Sequence, residues 1–214
     1  MLIQLLTTDA NSWIVPYGHQ LKAQLEERGH ECYYVFDGNQ ITEGDILVFL
    51  SYEKIFKQLG LNKHNLVIHE SALPAGKGMS PLSWQILEGA NKIPVTLLEA
   101  AAEVDSGIIY KQELIELEGH ELLPEIKDKQ GRLTIDLVLW FIDNYPSSSE
   151  GRVQEGESSY YKRRSPKDSK LDAGSSIQEQ FNLLRICDND RYPAYFELNG
   201  FKYIINIRKA ENNA

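Results

Sequence analysis

Two rhythms of apolar positions run through the chain. Near-continuous apolar stretches at residues 2–7, 31–36, 46–50, 66–69, 93–100 and 108–117 read as strands, and runs of this kind suit strands covered on both faces. Between them the spacing turns helical. Leu21 and Leu25 repeat at helix spacing after Pro16-Tyr17-Gly18 and before Gly29. Residues 52–59 and 133–142 are further helical patterns. Residues 80–89 predict a short helix with Pro81 in its first turn and Gly89 past its end. Asp37-Gly38-Asn39 stops the second strand, and Gly44 reads as the turn before the third. Strands alternating with helices predict an α/β fold with a Rossmann-like, mostly parallel sheet. Ligands of such sheets bind beyond the carboxyl ends of the strands, which is where His69 falls.

The pattern changes after residue 145. Residues 146–159 are small and polar, as a linker or mobile loop would be. Residues 160–214 then predict a small C-terminal α+β subdomain. It contains a helix around residues 177–186 and a hairpin of residues 195–198 and 201–207 turned by Asn199-Gly200. Residues 1–145 form the main domain.

Charge narrows the partners. The 214 residues carry 22 basic and 31 acidic side chains, a formal −9, which disfavours large nucleic acids but leaves room for a local phosphate-binding cluster. Cys32 and Cys187 stand alone, and His19, His30, His64 and His120 have no ligand spacing, so neither a disulfide framework nor a metal site is expected. No run approaches the ~18 apolar residues of a membrane span. A reducing, cytoplasmic setting is the expectation.

Residues 69–107 carry the chemistry. His69-Glu70-Ser71-Ala72-Leu73-Pro74, then Gly76 and Gly78, the helix opened by Pro81, and finally Val95-Thr96 leading to Val104-Asp105-Ser106-Gly107 occur in that order. This ordered set resembles the 10-formyltetrahydrofolate-dependent formyltransferases, a group that includes methionyl-tRNA, glycinamide ribonucleotide and sugar N-formyltransferases. The match covers about 40 residues, which is more specific than any single motif. Length and the C-terminal segments, among them Tyr160 to Asp168 and Tyr192-Pro193-Ala194-Tyr195, are most similar to short sugar N-formyltransferases acting on UDP-linked 4-amino sugars in pseudaminic-acid-type pathways.

The resemblance implies a division of labour. His69 takes the place of the family's catalytic histidine, and an imidazole titrating near neutrality suits a base that relieves an attacking amine of its proton. Asp105 takes the place of the catalytic aspartate that orients it. The family sets an asparagine two residues before the histidine; Val67 stands there, and Asn65, two residues further back on the same strand face, is the candidate oxyanion donor. Ser71, Ala72, Leu73 and Pro74 with Ala102, Glu103 and Val104 would hold the formyl donor, 10-formyltetrahydrofolate. Lys77, Arg163, Arg164 and Tyr192 would hold the nucleotide-linked amino sugar, the arginines on its diphosphate. A homodimer is expected by the same resemblance. The alternatives are a folate- or nucleotide-binding protein without turnover, a formyltransferase for another amine including methionyl-tRNA, and a formyltetrahydrofolate hydrolase.

Overall fold

A computed structural model describes residues 1–210. In chain order its elements are β1 (Leu2–Leu6), α1 (Val15–Glu27), β2 (Glu31–Val35), β3 (Gly44–Phe49), β4 (Asn62–His69), β5 (Lys77–Gly78) and α2 (Pro81–Leu87). There follow β6 (Lys92–Glu99), β7 (Ile109–Glu116), α3 (Leu123–Asp143), β8 (Tyr160–Tyr161), α4 (Phe181–Arg185), β9 (Ala194–Leu198) and β10 (Phe201–Ile205). Six strands form the central sheet in the order β2-β1-β3-β4-β6-β7. The first four run parallel, whereas β6 runs antiparallel to both of its neighbours, β4 and β7. This is the expected mostly parallel α/β sheet, with a small antiparallel hairpin, β9–β10, near the C-terminus.

Alternation along the strands sorts two cores. Ile3 and Leu5 of β1 with Ile46 and Val48 of β3 face Leu21 and Leu25 of α1 and Ile135, Val138 and Phe141 of α3. Leu6, Leu47 and Phe49 face the other way. Each such side chain, fully buried, contributes about 1.5–3 kcal/mol.

Three elements depart from expectation. Residues 52–59 are not the expected helix: an irregular segment wraps the Tyr52 and Phe56 rings around Phe49 at 5.4 and 5.5 Å, closing the second core. α3 begins ten residues before the expected 133, because Pro124 suits a first turn and Glu125 accepts the Leu122 N–H at 2.9 Å. Gly131 belongs inside that helix, since a Cβ there would lie 2.5 Å from the Tyr17 ring. Gly44 is the first residue of β3 rather than a turn before it.

The C-terminal part is fastened by a buried ion pair. Arg185 of α4 is 1% exposed; its Nε donates to the Glu121 carbonyl at 2.9 Å and its Nη2 to Glu121 Oε2 at 3.0 Å. Burial alone would raise the Glu121 carboxyl. The N–H groups of Glu118 and Gly119 and the Lys129 ammonium outweigh it and hold the pKa at about 2, below the ordinary 4.5. A depressed carboxyl stabilises the fold above its unfolded pKa and loses that contribution as pH falls. Urea unfolding of Arg185→Ala is expected to show a loss of about 3–5 kcal/mol at neutral pH. Wild-type stability should decline from pH 4.5 toward 2, and Glu121→Gln, already weaker at neutral pH, should lack that component.

Candidate active site

β4 delivers His69 to the carboxyl end of the parallel strands, next to Thr96 of β6. Here the chain turns: Ser71 N donates to His69 O at 2.9 Å, closing a three-residue turn with Glu70 at its apex. The Thr96 hydroxyl pins the turn by donating to Ser71 O at 2.7 Å, and Gln112 in turn donates to that hydroxyl.

His69 is 6% exposed. Its Nε2 lies 2.8 Å from Gly76 O, and since a carbonyl only accepts, Nε2 carries a proton. Nδ1 faces Asp105 Oδ2 at 3.6 Å. Asp105 sits in the β6–β7 loop with a φ of 53°, in the left-handed region that side chains adopt at a cost of about 1 kcal/mol or more. Gly78 N–H holds it by donating to Oδ2 at 2.9 Å, and Gln154 donates to its carbonyl at 2.8 Å.

The Gly78 contact depends on a two-residue ladder. β5 pairs in parallel with β8, Lys77 opposite Tyr160 and Gly78 opposite Tyr161. A Cβ on Gly78 would stand 2.5 Å from Tyr161 O, and its φ is +95°, so glycine alone fits. Residues 146–159 approach the same loops: Ser159 accepts the Gly76 N–H on its hydroxyl and the Lys77 N–H on its carbonyl.

Beside His69 opens a cavity of about 350 Å³. Its walls come from the ends of β3 and β4, from α3 through Lys127, Gln130 and Thr134, and from Arg163, Arg164 and Tyr192. His69 and these three expected binding residues therefore share one cavity. Arg163 pairs with Glu53 at 2.9 Å, while Arg164 donates to Asp168 O at 3.1 Å and keeps a buried Nε without a partner.

Two expected residues lie elsewhere. Asn65 is four residues behind His69, roughly 13 Å along a strand. Its amide donates to Leu59 O and Glu99, so it braces the sheet rather than the imidazole. Val67, nearer His69, packs with Leu73, Leu98 and Ile109. Lys77 is 5% exposed and lies 5.9 Å from the Tyr160 ring, outside the cavity lining, because the ladder turns it toward β8. In the expected donor loop Ser71, Leu73 and Pro74 are buried and Ala72 is exposed; Ala102, Glu103 and Val104 are exposed.

Sequence reasoning missed Glu70, Lys127 and Gln130, all on the cavity wall. The i, i+3 spacing of Lys127 and Gln130 carries the signal only once α3 starts at Leu123. Lys127 Nζ lies 3.9 Å from the Trp13 ring centroid, and burial pushes its pKa down to about 8 against the opposing pull of Glu70 and Asp188.

The fold is that of the formyltransferases. No family model matches the chain. It is 31% identical over 134 residues to the methionyl-tRNA formyltransferase of Thermotoga neapolitana, covering 58% of this chain and 43% of that protein. To that of Mycoplasma capricolum it is 26% identical over 183 residues, 83% of this chain and 57% of the other. The chain thus spans about half the length of the curated relatives it matches. Among solved structures, a methionyl-tRNA formyltransferase from Clostridium thermocellum superposes with a TM-score of 0.83 at 20% identity, over 100% of this chain and 95% of that one. A 4-N formyltransferase from Francisella tularensis gives 0.73 at 16%, over 98% of both chains. HypX from Aquifex aeolicus in complex with tetrahydrofolic acid gives 0.79 at 18%, over 96% of this chain and 37% of that one. The chain has the formyltransferase fold and is a sequence relative of the formyltransferases, as residues 69–107 suggested.

Two outcomes follow from the site's geometry. Gly78→Ala is expected to destabilise by about 1–3 kcal/mol in urea titrations, through steric overlap and strain. Lys127 should titrate near pH 8 by NMR of its side chain. A lysine depressed in the fold costs stability fully below that pH, and the cost fades as pH rises toward the unfolded 10.5. Lys127→Met should accordingly be more stable than wild type at pH 7 and lose that advantage by pH 10.5.

Proposed function

We propose that the chain is an N-formyltransferase that moves the formyl group of 10-formyltetrahydrofolate to the amine of a nucleotide-linked amino sugar. The observation that carries this reading is the His69–Asp105 pair beside a cavity whose far wall presents Arg163, Arg164 and Tyr192. Such a wall suits a diphosphate and a base: guanidinium groups fork onto phosphate oxygens, and a phenol stacks on a heterocycle.

The residues fit a folate-type donor. Residues 102–104 are exposed beside the Asp105 loop, and Ser71 Oγ and Gln154 Oε1 are buried polar atoms without a protein partner. Ser71, Ala72, Leu73 and Pro74 with Ala102, Glu103 and Val104 would hold the donor, which supplies an already activated formyl carbon. That a relative in fold holds tetrahydrofolate supports the same assignment.

The protein's own part is proton handling and charge stabilisation. With Nε2 donating to Gly76 O, Nδ1 is the nitrogen left to take the amine's proton, and the imidazolium so formed faces Asp105. With Val67 apolar, Asn65 remote and both His69 nitrogens engaged, main-chain N–H groups are the donors left for the oxyanion, aided by the charge of the imidazolium. A second acceptor, methionyl-tRNA, is favoured by the names of the curated relatives, while the net charge of −9 weighs against it.

The test is incubation with 10-formyltetrahydrofolate and a panel of UDP- and dTDP-linked amino sugars plus methionyl-tRNA, following product mass. One formyl group gained by one sugar is the expected result. His69→Ala and Asp105→Asn should each lower kcat by about 10²–10⁴-fold. Formylated tRNA alone would replace the sugar assignment, and formate release without an amine would indicate a hydrolase. Donor binding with no turnover would leave a binding protein.

A further inference from the structure

An aliphatic sugar amine is largely an ammonium ion near neutral pH, and an anion with a free lone pair close to the base is suited to receive it. Glu70 meets that description. It stands at the apex of the turn beside His69 and lines the same cavity. Its carbonyl accepts from Gln85 Nε2 at 2.6 Å, which fixes the backbone. Its Oε1 accepts from Gln130 Nε2 at 2.5 Å. Among the described residues its Oε2 has no hydrogen-bond partner, and no cationic side chain lies within 4.0 Å of the carboxylate.

What holds Glu70 is a relay rather than an ion pair. Lys127 Nζ donates to Gln130 Oε1 at 3.0 Å while resting on the Trp13 ring. An ammonium only donates, so Lys127 obliges the amide to present its oxygen on that side and its NH₂ toward Glu70. The amide thereby keeps two opposite charges apart. Opposite charges that serve the fold gain most when they touch each other directly. Here each charge remains unpaired by its opposite inside a cavity large enough for a ligand.

We infer that Glu70 docks the ammonium of the acceptor through Oε2, with Gln130 and Lys127 as positioning residues that aim the carboxylate. This rests on the formyl-transfer reading for its substrate class and adds what selects it: a cationic amine in preference to a hydroxyl at the same carbon. Glu70 does not take part in the bond changes. It holds the nitrogen beside His69, which takes one proton from the ammonium and so frees its lone pair; the second proton, lost as the C–N bond forms, goes to the departing folate nitrogen.

The experiment measures binding calorimetrically without the formyl donor, comparing UDP- and dTDP-linked 4-amino sugars with their 4-hydroxy counterparts, on wild type, Glu70→Gln, Lys127→Met and Lys127→Arg. Wild type is expected to prefer an amine by about tenfold or more, the scale of one charge-assisted hydrogen bond, and Glu70→Gln to bind both alike. In turnover with the preferred sugar, Glu70→Gln should raise KM for the amine about tenfold, with a smaller change in kcat and an unchanged KM for the formyl donor. Lys127→Met should weaken the preference and Lys127→Arg restore it, with thermal unfolding curves checking that each variant folds. Retained preference in Glu70→Gln, or a wild type that binds no panel amine more tightly than its hydroxyl counterpart, overturns the assignment. A wild type that prefers the amine yet forms no formylated product overturns the transfer reading and leaves the docking role standing.

Discussion

The site depends on the pairing of two residues with two others some eighty positions away. When Lys77 and Gly78 join Tyr160 and Tyr161, the Gly78 N–H is aimed at Asp105, the Gly76 carbonyl at His69, and the chain beyond Tyr161 is led past the cavity as Arg163 and Arg164. Backbone must approach backbone within the volume of a methyl group for this to happen. The smallest sheet among the described residues thus joins the His69–Asp105 pair to the arginines of the cavity wall.

Around that ladder the polar groups are arranged by asymmetry. His69 has an acceptor on each ring nitrogen, one at hydrogen-bond distance and one just beyond it, so a proton arriving at the second finds a carboxylate waiting. On the cavity side a carboxylate and an ammonium are separated by an amide that satisfies one face of each. In both places the fold stops short of full neutralisation, which is where a ligand gains its differential interaction. Among the described non-glycine residues, Ser51, Ser80 and Asp105 hold positive φ around the same centre, whereas the fourth, Asn199, turns the terminal hairpin.

How much of this was legible follows from the range of each interaction. Strands β1 to β4 and the hairpin at Asn199-Gly200 announce themselves because period and turn chemistry are local. The first half of α3 hides behind Pro124, Gly131 and a run of charges, and its glycine makes sense only once Tyr17 is seen against it. The helical spacing of residues 52–59 misled, because apolar side chains at such intervals can also be presented by an irregular segment folded over one ring. At the site, His69 and Asp105 were readable as a motif. Asn65 was misplaced because alternation gives the side of a strand and says nothing of distance along it. Lys77 was misplaced because its orientation is set by a ladder with no sequence period, and Glu70, Lys127 and Gln130 converge from separate elements.

The hairpin that joins β6 to β7 bears on how such a chain can diverge. Asp105 hangs from a hairpin loop whose two ends are already neighbours, Glu99 N–H donating to Ile108 O at 3.0 Å. Doubling the length of a flexible loop costs only about 0.6 kcal/mol in closure entropy. Insertions there can reshape the exposed lip at residues 102–104 while the sheet stays as it is. The β5–β8 crossing has no such freedom, because one added methyl group is already too much. Descendants of this architecture would be free to change what they recognise at the hairpin and bound to keep what they do at the crossing.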